Sequence, residues 1–270
     1  MNPSRPPNAL PSTAFIRWDA VDALRGLAMV WMTVFHFCFD LNHFAYIRQN
    51  FYDDPLWTWQ RTGILSLFLA TAGLGQAIAV QQGQSWRPFW RRWGQVAGCA
   101  VLVTLGSYAM YPGSFIYFGT LHGMAAMLIL LRLGATWGRW HSGWWLLGGL
   151  LMAAPFAAVD ALVALGYAEW ASMLNSPYWN WLGVITAKPV TEDYVPLLPW
   201  LGVMCWGFAG GQWLLKTRPG WLAWKPSGSS PITRQGFDRL ALLGRWSLVY
   251  YLLHQPVMIG VLAAWKWCAG

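Results

Sequence analysis

Charge is what this sequence has least of. Only 10% of its 270 residues are charged, and Asp and Glu together number 10 against 18 Lys and Arg. Soluble domains carry about a quarter charged residues, so a water-soluble globular domain is excluded. Cysteine is also sparse. Cys38, Cys99, Cys205 and Cys268 are scattered and share no metal-ligand spacing, so free thiols are expected, with no disulfide framework and no metal site. No basic run interleaves with exposed aromatics, which removes nucleic-acid binding as the meaning of the +8 net charge. No cleavage-type end follows the first apolar run, so a signal peptide is not expected. No internal repeat is visible.

What is abundant points to lipid. The chain is 56% hydrophobic and holds 22 Trp, many near the ends of long apolar runs, where an interfacial aromatic belt belongs. The runs predict an all-α polytopic membrane protein with about seven transmembrane helices, at about 20–41, 58–81, 93–111, 117–133, 143–166, 194–215 and 241–267. Helices are required because an open strand cannot satisfy its backbone in lipid. Pro155, Pro196, Pro199 and Pro256 lie in or near these spans and predict kinks. One set of connections holds Arg5, Arg17, Arg87, Arg91, Arg92, Arg132, Arg139 and the basic residues from Lys216 to Arg245; the other has Arg48, Arg61, Lys188 and Lys266 with most of the acids. The positive bias makes the N-terminus cytoplasmic and the C-terminus external. Residues 1–18 form a Pro-rich flexible tail, and 19–270 a single transmembrane domain. The stretch KPSGSSPITRQG is expected to be a flexible connector, and the long aromatic segment from Gly166 to Asp193 a surface layer or lid. The pieces GLGQA and GFAGGQ are read as close helix-packing sites.

Ionisable groups inside these runs stand out, because such side chains are costly in a bilayer and mark functional sites. Arg25 and His36 are eleven residues apart, so they share one helix face about 16 Å apart. Asp40 follows His36 at i+4, where the two side chains can meet. His122 on the fourth span, and His254 with Gln255 on the seventh, fall at similar depth. Arg61 opens the second span, and Asp193 with Tyr194 opens the sixth. Blander readings exist. Arg25 also fits a cytoplasmic anchor paired with Asp22 at i−3, and each histidine also fits a packed residue bonding a neighbouring helix. Asp160 and Arg61 fit a structural or gating pair, and His43 and His141 belong to solvated loops.

The segments RWDAVDALRGLAMVWMTVFHFCFDL, SLFLATAGLGQA, YFGTLHGMA, DYVPLLPWLGVMCWGFAGG and LGRWSLVYYLLHQPV occur in this order. Together they resemble the bacterial branch of the heparan-alpha-glucosaminide N-acetyltransferase catalytic-domain family. The Arg25-to-His36 spacing also resembles the Arg-ten-residues-His motif of the membrane acyltransferase-3 family. The resemblance implies a membrane-embedded acyltransferase of the bacterial inner membrane. It would move an acetyl or other acyl group from cytoplasmic acyl-CoA to an amino or hydroxyl group of a sugar or glycan acceptor outside. No metal is implied, and a homodimer is left open. The lysosomal enzyme is longer, with an extra luminal domain, so its acceptor does not carry over.

Acyl transfer needs a base for the acceptor proton and donors for the oxyanion. His36 is the candidate base, with Asp40 fixing its tautomer. His122 or His254 would bond the thioester carbonyl or the acceptor. Arg25, Arg87, Arg91 and Arg92 suit the phosphates of acetyl-CoA or another acyl-CoA. Arg61, Asp193, Tyr194 and Gln255 are placed on the acceptor side. The rival reading is a transporter or flippase that uses the same His and Asp groups for substrate or proton handling.

Overall fold

The computed structural model describes residues 16–137, 143–226 and 230–269. Helix is the only regular secondary structure among them. The order is α1 (Asp19–His43), α2 (Pro55–Gln81), α3 (Trp86–Met110), α4 (Thr120–Trp137), α5 (Gly143–Ala164), α6 (Ala168–Leu174), α7 (Leu197–Thr217), α8 (Pro219–Leu222), α9 (Pro231–Arg245) and α10 (Ser247–Ala269). By length and apolarity, α1, α2, α3, α5 and α10 can cross a bilayer, and α4 holds a shorter apolar stretch, Thr120–Thr136. The seven expected spans fall on α1 to α5, α7 and α10. Broad apolar surface remains uncovered, for example Val101, Leu102 and Leu105 on α3, Leu146 and Leu150 on α5, and Val257 and Val261 on α10. Contiguous apolar surface of this kind is what a lipid environment covers.

Helix ends follow their local chemistry. Asp54 precedes Pro55, and its carboxylate accepts from the Leu56 N–H at 2.8 Å, which caps α2. Ser230 and Pro231 open α9 in the same way, with Ser230 Oγ accepting from the Thr233 N–H. Half of the expected flexible connector is therefore helix; residues 227–229 of it, like Arg139 and His141, lie outside the described residues. The seventh span, expected as one helix over 241–267, is broken at Trp246 into α9 and α10. His43, expected in a loop, ends α1 and is exposed. The segment from Gly166 to Asp193 forms α6 and a short 3-10 turn, Asn180–Leu182. Pro155 and Pro256 sit inside α5 and α10, and Pro196 caps α7 just before the non-helical Leu198.

Five elements ring a central space: α1, α2, α3, α4 and the α9–α10 junction. Outside that ring α7 packs on α2, and α5 packs on α7. The main core lies here, where Leu69, Met127, Leu131, Met204 and Phe208 are almost fully enclosed. The two glycine-rich pieces meet at the α2–α7 contact. Gly73 faces the Met204–Phe208 backbone, and Gly207 faces the backbone of Ala70. A second close approach joins α1 to α9, where Gly26 lies against Leu240 and Gly244 against Asp22. Small residues allow such approaches, and helices in lipid associate largely through packing of this kind.

Gly207→Leu should therefore lower the thermal stability of the purified protein in detergent, since overpacking a close contact costs about 1–3 kcal/mol or more. Gly210→Ala, whose added Cβ would lie 3.8 Å from Trp145, should leave the unfolding midpoint within error of the parent protein.

Candidate active site

Two polar layers sit at different depths of the ring. The first is at the end where the basic residues gather. Asp22 is only 2% exposed. Its carboxylate accepts from Arg17 Nε at 2.5 Å and Nη2 at 3.2 Å, and from Arg25 Nη1 at 3.2 Å, while Arg245 Nε lies 3.7 Å away. Asp19 takes Lys225 Nζ and Arg245 Nη2, each at 2.6 Å. These cations outnumber their carboxylates, so the layer keeps an excess of positive charge. Gly75 on α2 makes room for Arg25, because a Cβ there would stand 2.5 Å from its Nη2.

A cavity of about 480 Å³ opens beside this layer, within the size range of small-molecule sites. Arg17, Arg25, Arg92 and Arg245 line it, with Thr71, Gln76, Gln84 and Ser247 as neutral polar groups and Phe68, Phe89 and Trp93 among its apolar wall. Arg92 has no carboxylate partner among the described residues and donates to Gln95 at 3.0 Å. The break at Trp246 brings Arg245 and Ser247 into this wall. Another depression, of about 420 Å³ beside α6, has no carboxylate, imidazole or cation in its lining.

The second layer lies deeper along α1. His36 and His254 pack edge to face, with ring centroids 5.1 Å apart. His254 Nδ1 donates to the Tyr251 carbonyl at 2.8 Å, and its Nε2 is buried with no hydrogen-bond partner among the described residues. Tyr250 stacks on the same ring, with a 5.9 Å centroid distance and an 8° interplanar angle. His36 Nδ1 bonds Gln255 Oε1, and Gln255 Nε2 donates to Asp40 Oδ1 at 2.8 Å. The expected direct contact of Asp40 with His36 is thus replaced. The i+4 spacing puts both on one face, but Gln255, reaching in from α10, stands between them. Phe68 and Tyr251 separate the cavity from the histidines, with ring centroids 6.5 Å apart, and Tyr251 in turn touches His254.

The other expected residues are dispersed. His122 accepts the Gly119 N–H at its Nδ1 (3.3 Å), and its Nε2 donates to Thr104 Oγ1 (3.0 Å), whose hydroxyl donates to the Ile116 carbonyl (2.8 Å). Both ring nitrogens are used in pinning the α3–α4 connection. Asp193 accepts the Thr120 N–H at 2.6 Å and so caps α4 from a distant loop. Burial raises its carboxyl above the ordinary range, and the Thr120 hydrogen bond pulls it back. Tyr194 donates to the Asn180 carbonyl at 2.6 Å, which ties down the 3-10 turn. Arg61 and Asp160 are both exposed and form no ion pair with each other, because α5 packs on α7 rather than on α2. Arg87 and Arg91 are exposed and do not line the cavity, whereas Arg92, the residue after Arg91 on α3, does.

Sequence reasoning did not assign Arg17, Asp22 and Arg245 to the site. Their signal was present: an Asp one turn before Arg25, and Arg245 next to Trp246 at the mouth of an apolar run. Phe68 and Tyr251 gave no signal, since they read as ordinary apolar positions.

The catalytic-domain family of heparan-alpha-glucosaminide N-acetyltransferase matches residues 17–256, from the arginine that clamps Asp22 to the residue after Gln255. The chain belongs to this family. No curated protein and no solved structure matches it. Family membership and the long apolar helices together make this a multi-pass membrane acyltransferase of the acetyltransferase type.

The buried carboxylate organises the basic layer of this family member, so Asp22→Ala should cost about 1.5–3 kcal/mol, the range for hydrogen bonds to charged groups. Asp19→Ala should cost less, because its side chain is 20% exposed against 3% for Asp22. Thermal unfolding of both variants in the same detergent checks the order.

Proposed function

We propose that this protein moves an acetyl group from acetyl-CoA, bound at the basic end, to an amino or hydroxyl group of a sugar or glycan at the opposite end. On this reading the basic end faces the cytoplasm of a bacterium and the acceptor is met on the far side of the inner membrane; the distribution of Lys and Arg supports that orientation. The observation that carries the reading is the alignment of the two layers. An arginine-lined cavity, suited to phosphates, ends one aromatic pair short of two histidines with no direct carboxylate contact. Guanidinium groups match phosphate oxygens in geometry as well as in charge.

The nucleotide of the donor sits against Arg17, Arg25, Arg92 and Arg245, and its thin arm runs inward past Phe68 and Tyr251. Displacing these two rings admits the thioester to the histidine layer. The acceptor nitrogen or oxygen then attacks the thioester carbon while an imidazole takes its proton. The C–S bond breaks, the acetyl group stays on the acceptor, and the CoA thiolate leaves with the proton carried by the imidazolium. His36 is the first choice for that base, and the free Nε2 of His254 lies beside it. A transporter using the same groups would bind acetyl-CoA without turning it over.

The test is transfer from labelled acetyl-CoA to amino-sugar acceptors by the purified protein. His36→Ala should lower turnover by about 10²–10⁴-fold, the usual contribution of a positioned acid–base group, while donor affinity is kept. Arg25→Ala should weaken acetyl-CoA binding about tenfold to a hundredfold, corresponding to one charge-assisted contact. Arg87→Ala and Arg91→Ala should leave it unchanged, being outside the cavity. His122→Ala should lower stability more than turnover. Binding of acetyl-CoA with no transfer to any acceptor would return the reading to a transporter.

A further inference from the structure

Asp40, Gln255 and His36 form a chain across two helices in which each link constrains the next. Asp40 is buried, 2% exposed, and its Oδ2 has no hydrogen-bond partner among the described residues. Its Oδ1 meets the Gln255 amide at 2.8 Å. An ionised carboxylate only accepts, so the NH₂ side of Gln255 must face it. The opposite amide orientation would set oxygen against oxygen at a buried charge and leave that charge with no donor. The oxygen side of Gln255 therefore faces His36 Nδ1, as observed. An amide oxygen also only accepts, so His36 must carry its proton on Nδ1.

We infer that Gln255 is a positioning residue: it carries the charge of Asp40 across to His36 as a tautomer choice, holding the proton on Nδ1 and leaving the Nε2 lone pair free. This rests on the reading of His36 as the base. A direct Asp–His contact would do the same in one step. Here the carboxylate and the imidazole are one helical turn apart on α1, a rise of about 6 Å, and a side chain from α10 fills the gap. That also makes the tautomer depend on α1 and α10 staying in register. His254 reaches the same state by another route, through its Nδ1 bond to the Tyr251 carbonyl. Both rings of the pair then offer Nε2.

The chain can be tested by reversing its polarity. In the double variant Asp40→Asn with Gln255→Glu, the carboxylate introduced at 255 accepts from His36 Nδ1–H. The amide introduced at 40 donates to that carboxylate. Net charge, hydrogen-bond count and tautomer are kept. The first readout is the ¹⁵N spectrum of histidine-labelled protein in detergent, with His36 identified by its loss in His36→Asn; the second is acetyl transfer. The parent protein should show His36 protonated at Nδ1. Gln255→Leu and Asp40→Asn alone should lose that signature and slow transfer by at least about tenfold, as for other residues that orient a functional imidazole. Donor KM should stay nearly constant, and the double variant should recover both signature and rate. A parent His36 protonated at Nε2, or a Gln255→Leu variant with parental spectrum and turnover, would overturn the relay. The Nδ1–H signature with its loss and recovery, in a protein that transfers nothing from acetyl-CoA, would leave the relay standing and count against the acyltransferase reading instead.

Discussion

An ionised side chain between apolar helices is tolerated where other polar groups meet it, and in this protein those partners come both from neighbours in sequence, Arg17 and Arg25 at Asp22, and from the far end of the chain. Asp22 and Asp40 both belong to α1. Arg245, from the end of α9, approaches the first, and Gln255, from α10, meets the second. The α1 seam with α9 and α10 is thus held by polar matches at two depths, with Gly26 and Gly244 packed closely at the level of Asp22. Asp40 has Gln255 as its one side-chain partner among the described residues, and losing it would cost more than the bond itself contributes when formed.

The second seam, between α2 and α7, has a different origin. Its backbones approach at Gly73, Gly207 and Gly211, and its core is apolar, with Phe208 and Met204 enclosed among Leu69, Met127 and Leu131. This rigid pair forms one wall of the molecule. The polar seam forms another, and α3 and α4 close the ring between them. The cavity exists because the helices around it are held by contacts on their other faces. Gly75 shows the economy of the wall, since the missing side chain is where the Arg25 guanidinium lies.

The break at Trp246 connects these features to chemistry. It turns α9 toward the basic layer, with Arg245 and Ser247 lining the cavity, and starts α10 so that Tyr251, His254 and Gln255 descend toward α1. One helix junction thereby contributes to the cavity, to the aromatic partition at Phe68, and to the histidine layer. On the proposed reading this arrangement is economical: the group assigned to binding and the groups assigned to the reaction are fixed by the same element, with aromatic rings between them.

Composition and the length of the apolar runs are enough to give the class of the molecule. Apolar runs of bilayer length, Trp at their ends and scarce acids leave few architectures open, because lipid satisfies no backbone hydrogen bond. Helical periodicity likewise put Arg25, His36 and Asp40 on one face, since it is a local property. What periodicity could not give was which side chain of another helix would face them. Asp40 and His36 are suitably spaced to touch, yet Gln255 lies between them; His122, expected at a depth similar to that of His254, has its ring nitrogens used by Gly119 and Thr104. Arg61 and Asp160 carry opposite charges but lie on helices that do not pack together. Those outcomes depend on contacts between residues tens or hundreds of positions apart, and the packing of the described helices settles them.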